Sequence, residues 1–481
     1  MNPSCRHPHR YLPACVGRRL TALVLALALL CGPHLPDARA LSIGEEREIG
    51  EQLLYQIRNA FQVVDDPEVV QYVNDLGRLV LEPLGPQNFT FYFYVIKDKE
   101  FNAFAAPSGL IFMHSGLVAS MRTENELLAV MAHEIGHVTS RHISSRLEKS
   151  TKVSIASMAL ALGSLAIGNP ALAQGLLAGS LATGQALQLS FSRQDEEEAD
   201  RLAFGWMKAL GRDPSAMADM LRVMRRISRY RMGQVPQYLL THPDSEARLL
   251  YVESLLDSLP KSPPGVGQGD DFAFLRFKYR VLSQTADPRD LREQLASLAA
   301  GPDQGLQTAM ADYGLAMLAL QERNWREAKS RLERVRQKMP DKKVLLVDLA
   351  TVDLESGDVL RALEGLKVAA RQNPGSMAAT WHLARAWRRA GEGKQAEPLY
   401  QDILARQPDL APVYYELSEL QSSRKQLAAS TLNLGKYNLY SGKPKVARQH
   451  FEKVSSLPGV TMAEREEATS LLARLTELEK K

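Results

Sequence analysis

The 481-residue chain has no cysteine beyond residue 31; Cys5, Cys15 and Cys31 are its only three. A disulfide framework, a thiolate metal site and a cysteine nucleophile are thereby excluded from everything downstream. Any metal must be held by histidine and carboxylate. Net charge is lacking too. Of the 59 basic and 55 acidic side chains, five and one respectively lie in residues 1–40, so the remainder is balanced. Such a chain has no global field to attract nucleic acid, and no nucleic-acid partner is expected. Long apolar runs are also few. Leu20 to Leu30 is apolar but shorter than the roughly 20 residues a bilayer span needs. Arg18-Arg19 precede it and Ala38-Arg39-Ala40 follow it. The segment therefore reads as a secretory signal over residues 1–40, cleaved near Ala40 so that the mature chain begins at Leu41.

What is present divides into three regions. Residues 41–262 alternate helical stretches with one strand-rich patch. Pro263 to Gly269 is turn-rich, and residues 263–271 read as a linker. Residues 272–481 are helical in period, with short breaks. There Pro340, Pro374 and Pro408 stand 34 residues apart, as do Ala328, Ala362 and Ala396. Leu315, Leu349 and Leu383 keep the step, each followed by alanine; Leu332, Leu366 and Tyr400 complete the register. Small residues at helix crossings and proline at the repeat end match the tetratricopeptide (TPR) pattern. Leu417 extends the phase, Leu434, Ala447 and Pro458 suggest a displaced further unit, and residues 272–300 suggest a degenerate opening pair. A curved solenoid that binds extended protein segments or a partner is expected, with a dimerisation or spacer arm as the other reading.

Chemistry concentrates in the first region. Thr123-Glu124-Asn125-Glu126 has the spacing of a capping box, and a strongly helical run from Leu127 to Val138 follows. Within it stands His133-Glu134-Ile135-Gly136-His137. Residues i and i+4 share a helical face, so both imidazoles can reach one metal ion. Glu134, beside the first ligand, is placed to accept a proton from the attacking water. A surface helix with incidental histidines is disfavoured by the apolar flank Ala129 to Ala132, because buried unpartnered imidazoles carry a desolvation cost that a metal removes. A third ligand is required, and the variant with a histidine six residues on fails at Ile143; His142 is out of register and reads as structural or surface. Asp195 to Asp200 opens a second helix running to Gly211, with Glu196 and Asp200 on one face. Glu196 can then bind the metal while Asp200 accepts the other N–H of a ligand histidine. An acidic first turn answering the helix dipole is the simpler account for Glu197 and Glu198.

His133-Glu134-Ile135-Gly136-His137 taken with Glu196-Glu197-Glu198-Ala199-Asp200 resembles the HtpX and CAAX-prenyl-protease family of zinc metallopeptidases. The export signal and C-terminal repeats are similar to its periplasmic, TPR-carrying branch. The resemblance implies one Zn2+ per subunit on His133, His137 and Glu196, and a zinc endopeptidase acting on unfolded or misassembled outer-membrane proteins, with the β-barrel assembly machinery as partner. It places a downstream histidine, His242 in Thr241-His242-Pro243, near the metal, either stabilising the oxyanion or filling the fourth position. Asn102, Ala103, Phe104 and Ala105 resemble the family's segment near the cleft. Between the strand-like stretch Phe89 to Val95 and Leu110 to Met113, they are a candidate substrate edge; a hairpin covering the core is the plainer reading.

Residues 153–192 hold no charged side chain and are rich in Ala, Leu and Gly. Each half is near or below the length of a span, so a helical hairpin that touches a membrane surface or a membrane-bound partner is expected. The expected fold is mainly α: a helical zinc metallopeptidase domain with a small β-sheet, then a TPR α-solenoid. The expected location is the periplasm, peripheral to the outer membrane. The competing function is a non-proteolytic chaperone or assembly adaptor with a structural or capped zinc site; the catalytic set with its adjacent Glu134 separates the two.

Overall fold

Short polar side chains start the first helices. Ser42 and Glu45 cap each other reciprocally to open α1 (Ile43–Ala60), and Asp66 caps α2 (Pro67–Leu81), whose proline sits in the first turn where its missing N–H costs nothing. The computed structural model describes residues 41–149, 191–230, 237–243, 245–260, 267–302 and 305–480. The expected leader, all of the uncharged stretch except Phe191 and Ser192, and residues 263–266 of the linker lie outside them. Among the described residues no helix is long and apolar enough to cross a membrane.

Three strands follow: β1 (Tyr92–Ile96), β2 (Ala103–Ala106) and β3 (Leu110–His114), in the order β1-β3-β2. β1 runs parallel to β3 and β2 antiparallel to it, so β2 and β3 form a hairpin with β2 at the sheet edge. A short α3 (Ser115–Ser120) leads into α4 (Glu124–Thr139), which is buried from Glu124 to Val138. Thr123 caps it by accepting the Glu126 N–H at 3.3 Å. The expected box is only half formed, because the Glu126 carboxylate turns to the Arg122 backbone and guanidinium instead. Four more helices frame α4: α5 (His142–Lys149), α6 (Arg193–Ala209), α7 (Ser215–Tyr230) and the short α8 (Gln237–Thr241). α9 (Ser245–Asp257) packs on α6 and α7.

The remainder is helical pairs. α10 (Asp271–Thr285) and α11 (Pro288–Ala300) pack on α12 (Leu306–Gln321), which pairs with α13 (Trp325–Lys338). α14 (Leu345–Glu355) pairs with α15 (Val359–Gln372), α16 (Met377–Arg389) with α17 (Gly393–Arg406), and α18 (Ala411–Ser423) with α19 (Leu427–Tyr440). α20 (Pro444–Val454) and α21 (Met462–Lys480) complete the array. Ala328, Ala362 and Ala396, the phased small residues, are fully buried where the paired helices meet.

The solenoid is not a free arm. Residues 41–481 form one compact unit. Arg58 of α1 donates to Asp409 at 2.8 Å and to the Tyr440 carbonyl, and Tyr94 donates to the same Asp409 at 2.8 Å. Arg276 and Arg280 of α10 grip Asp348 of α14 and also reach back to Glu68 and Asp66 at the start of α2. Buried pairs of this kind select one docking geometry, since any other leaves charges unpaired out of water.

Candidate metal centre

α4 carries His133, Glu134 and His137, all fully buried. Between the histidines stands Gly136. A Cβ there would lie 3.1 Å from the Ala199 Cα and 3.4 Å from its Cβ, so only glycine lets α6 lie this close without a shift. That approach sets Glu196 and Asp200 of α6 over the two imidazoles. Ser192 and Asp195 fix where α6 starts, through a reciprocal cap. Glu197 points to solvent, whereas Glu198 accepts from Ser140 at 3.1 Å.

Ligand atoms of His133, His137, Glu196 and His242 lie within 4.8 Å of one another. His133 Nδ1 stands 2.9 Å from Asp200 Oδ1, so an N–H there leaves the Nε2 lone pair facing the cluster. His137 Nδ1 is 2.9 Å from His142 Nδ1, and the Nε2 atoms of His133 and His137 are 3.0 Å apart. Two lone pairs directed at one point repel unless a proton or a metal cation lies between them. Glu196 Oε1 is 3.4 Å from His137 Nε2 and 3.0 Å from His242 Nδ1. Arg248 of α9 donates twice to Asp200 at 2.7 Å. Its Nη1 also stands 2.7 Å from Glu196 Oε2, an ion pair by distance without the angle of a hydrogen bond. Glu134 accepts from the Tyr238 hydroxyl on Oε1 at 3.3 Å, and its Oε2 is buried with no hydrogen-bond partner among the described residues.

Charge explains the protonation states. Burial and Arg248 oppose a proton on His133, yet Asp200 and Glu196 outweigh them and lift the imidazole to about 9. Burial drives His137 well below the usual imidazole range. Burial also opposes the charges of Glu196 and Asp200, but His242 and Arg248 hold the first far below the carboxylate range, and Arg248 and His133 lower the second. Glu134, Glu196 and Asp200 against Arg248 leave two net negative charges in a closed space once His133 gives up its extra proton to a metal. A divalent cation held by nitrogen and oxygen fits that balance and the donor set.

The residues expected from sequence thus meet: His133, Glu134, His137, Glu196, Asp200 and His242 form one buried cluster. Of the two readings of His142, structural or surface, the structure supports the first: it is buried, edge-on to His137 and tilted against Phe191. Asn102 lies just before β2, where its carbonyl accepts the His114 N–H at 3.0 Å. Antiparallel alternation then leaves the backbone groups of Ala103 and Ala105 directed away from β3, with Phe104 stacked on Phe112. Three residues escaped the sequence reading. Arg248 had no local signal; only the need of two buried carboxylates for a cation calls for it. Phe191, stacked on His137 at 3.8 Å, had none either. Tyr238 did, since it stands one helical turn before His242.

The cluster and the helices that carry it define a metalloprotease. Residues 68–255 match peptidase family M48, and residues 319–386 and 353–420 match the tetratricopeptide repeat. The chain belongs to peptidase family M48, with a C-terminal TPR region. Among curated proteins it is 31% identical over 373 residues to the β-barrel assembly-enhancing protease of Escherichia coli K12, spanning 75% of this chain and 74% of that one. The protein of the same description from Yersinia pestis is 30% identical over 361 residues, 74% of this chain and 73% of that one. The mitochondrial metalloendopeptidase OMA1 of Schizosaccharomyces pombe is 30% identical over 185 residues, 38% of this chain and 52% of that one.

Proposed function

We propose that the protein is a periplasmic zinc-dependent endopeptidase that degrades misfolded or stalled outer-membrane proteins, while its TPR solenoid supplies chaperone or adaptor activity in their assembly. The observation that carries the reading is the buried convergence of His133, His137 and Glu196 beside the unpartnered Glu134 Oε2. Two imidazoles and a carboxylate with no thiolate suit zinc, one ion per subunit. When bound, zinc supplies Lewis acidity and makes hydroxide available near neutral pH. Glu134 Oε2 accepts the proton of the attacking water and returns it to the leaving amine. Asp200 and Arg248 hold His133 and Glu196 in place, and the edge of β2 from Asn102 to Ala105 aligns the substrate as an added strand.

The names of the E. coli and Y. pestis relatives support outer-membrane β-barrel proteins as substrates and the barrel assembly machinery as partner. The same reading keeps a leader over residues 1–40 cleaved near Ala40, a peptidase domain at 41–262, a linker at 263–271 and a TPR domain at 272–481. Residues 153–192 supply the membrane-surface contact, which keeps the enzyme peripheral to the outer membrane. The test is zinc content and casein cleavage by the chain from Leu41, beside Glu134→Gln. Zinc in both with cleavage only in the parent supports the peptidase; zinc in neither ends the site assignment.

One observation favours a second reading of the resting state. His242 Nδ1, 3.0 Å from Glu196 and 3.4 Å from His133, sits among the ligand atoms rather than at a distance suited to an oxyanion. In that reading His242 caps the fourth position and the resting chain acts as an adaptor. His242→Ala then raises cleavage, whereas an oxyanion role for His242 predicts a fall.

A further inference from the structure

Among the described residues the sheet leaves one edge open. On β1, Asn74 closes the outer side with its amide: Oδ1 accepts the Phe93 N–H and Nδ2 donates to the Phe93 carbonyl, each at 3.2 Å. Beside it the Val64 N–H donates to the Val95 carbonyl and the Lys97 N–H to the Gln62 carbonyl, both at 2.8 Å. On β2 no described residue takes up the outward backbone groups of Ala103 and Ala105. The strand is only four residues long. A slip of one residue against β3 would turn the backbone of both alanines toward β3 and exchange the faces of their side chains, so the edge depends on where β2 starts.

A buried cluster outside the metal site lies at that start. His114, at the end of β3, is fully buried, and Asn102 is 3% exposed. Asn102 Nδ2 stands 3.4 Å from His114 Nε2, and the ring is the only polar partner of the Asn102 side chain among the described residues. On the other side His114 Nδ1 stands 3.6 Å from Asp98 Oδ1. Asp98 is itself anchored: Oδ1 accepts the Glu100 N–H at 2.7 Å, and its carbonyl accepts from the Ser115 hydroxyl and the Gly116 N–H, each at 2.8 Å. A Cβ at Gly116 would run into the Lys99 carbonyl, so glycine lets the chain between β1 and β2 lie against the start of α3. The rings of Phe61 and Phe104 flank the imidazole.

We infer that His114 is a positioning residue for the substrate edge: bridging Asp98 and Asn102, it fixes the register in which β2 presents Ala103 and Ala105. The inference rests on the reading of β2 as the strand to which substrate adds. With an N–H on Nδ1 facing Asp98, the Nε2 lone pair faces the Asn102 amide, and one ring joins the anchored loop to the first residue of the edge. An apolar ring in its place would leave the buried amide without a partner, and Asn102 free to turn. His114 is not among the ligand atoms of the cluster, so its effect falls on how substrate is held.

His114→Phe keeps an aromatic ring and removes both nitrogens, whereas His114→Gln keeps a polar group where Nε2 stands. In the zinc-loaded full chain, His114→Phe should raise KM for casein by about tenfold, the order expected for losing one hydrogen bond at a buried amide. Its kcat and zinc content should match the parent, because what is lost is binding shared by substrate and transition state. His114→Gln should recover most of the KM. The same loss should appear without cleavage, as weaker binding of carboxymethylated casein when His114→Phe is combined with Glu134→Gln. An unchanged KM, a fall confined to kcat, or no recovery in His114→Gln would overturn the inference, the last by assigning the ring to packing alone. Should His114→Phe not fold, Asp98→Asn tests the same bridge from its other end, and an unchanged KM there is equally fatal. If the parent itself fails to cleave, the peptidase reading falls on that result, while casein binding in the Glu134→Gln background still decides the role of His114.

Discussion

Arg248 stands between Asp200 and Glu196, as the leading cationic partner of Asp200 and, after His242, of Glu196. Arg248→Ala should destabilise the metal-free protein by about 3–5 kcal/mol in urea unfolding, because it strands two buried carboxylates. Added zinc should narrow that loss, since the cation replaces part of the missing charge. Asp200→Asn keeps the shape and one acceptor oxygen but removes the negative charge that backs His133 Nδ1. Zinc affinity should fall by about 10- to 100-fold in competition with a chelator, with the fold retained. At this scale the sequence was legible wherever roles follow from spacing on one helix: His133, Glu134 and His137 needed nothing else. Arg248 lies six residues beyond His242 on a separate helix, and no local pattern marks it.

Elements bring those residues together, and the decisive one is the crossing of α4 and α6 at Gly136. Gly136→Ala demands space that the Ala199 backbone and Cβ occupy, so the helices must part by a few tenths of an ångström. A loss of about 1–3 kcal/mol in thermal or urea unfolding is expected. Because each helix holds ligands, weaker zinc binding should accompany it, which a core substitution remote from this crossing would not produce. The start of α4 was legible in Thr123, which caps as its type predicts; Ser42, Asp66 and Ser192 do the same for their helices but went unread in the sequence. The reciprocal half of the Thr123 cap was not, because Arg122 offers Glu126 a charged partner that the motif does not include. The solenoid helices followed their 34-residue period, since each repeat buries the same small alanine.

For the whole molecule, the docking of solenoid on peptidase domain is expected to depend on pH. Asp65 lies 3.8 Å from Arg58, and its carboxyl is pushed up to about 7: burial raises it, Arg58 lowers it, and Asp409 raises it further. A folded-state value above the unfolded one, about 3.9, means that the protonated form is the one folding prefers. Its contribution is complete below pH 3.9 and is lost progressively as pH rises to 7. Asp65→Asn mimics the protonated acid. It should therefore stabilise the chain at pH 8, by at most about 4 kcal/mol, and change little near pH 4, as read by calorimetric melting at the two pH values. A gain at pH 4 equal to that at pH 8 would remove Asp65 titration as the cause.

The amino-acid order alone determined everything whose cause is local. Histidines four apart share a helical face whatever surrounds them, the prolines at 340, 374 and 408 each follow the end of a helix one repeat apart, and a chain without downstream cysteine cannot build a thiolate site. Tertiary structure decided what depends on residues far apart in the chain. It drew Glu196 inward and left Glu197 in solvent, through the close approach that Gly136 permits. It set Arg248 between two acids, His242 and Tyr238 over the metal cluster and the base, and the solenoid against α1 and α2 through Arg58, Arg276 and Arg280. The physical reason is common to all of these: a buried charge has no energetic preference for a partner near in sequence, only for one near in space, and which groups become near is settled by how whole helices pack.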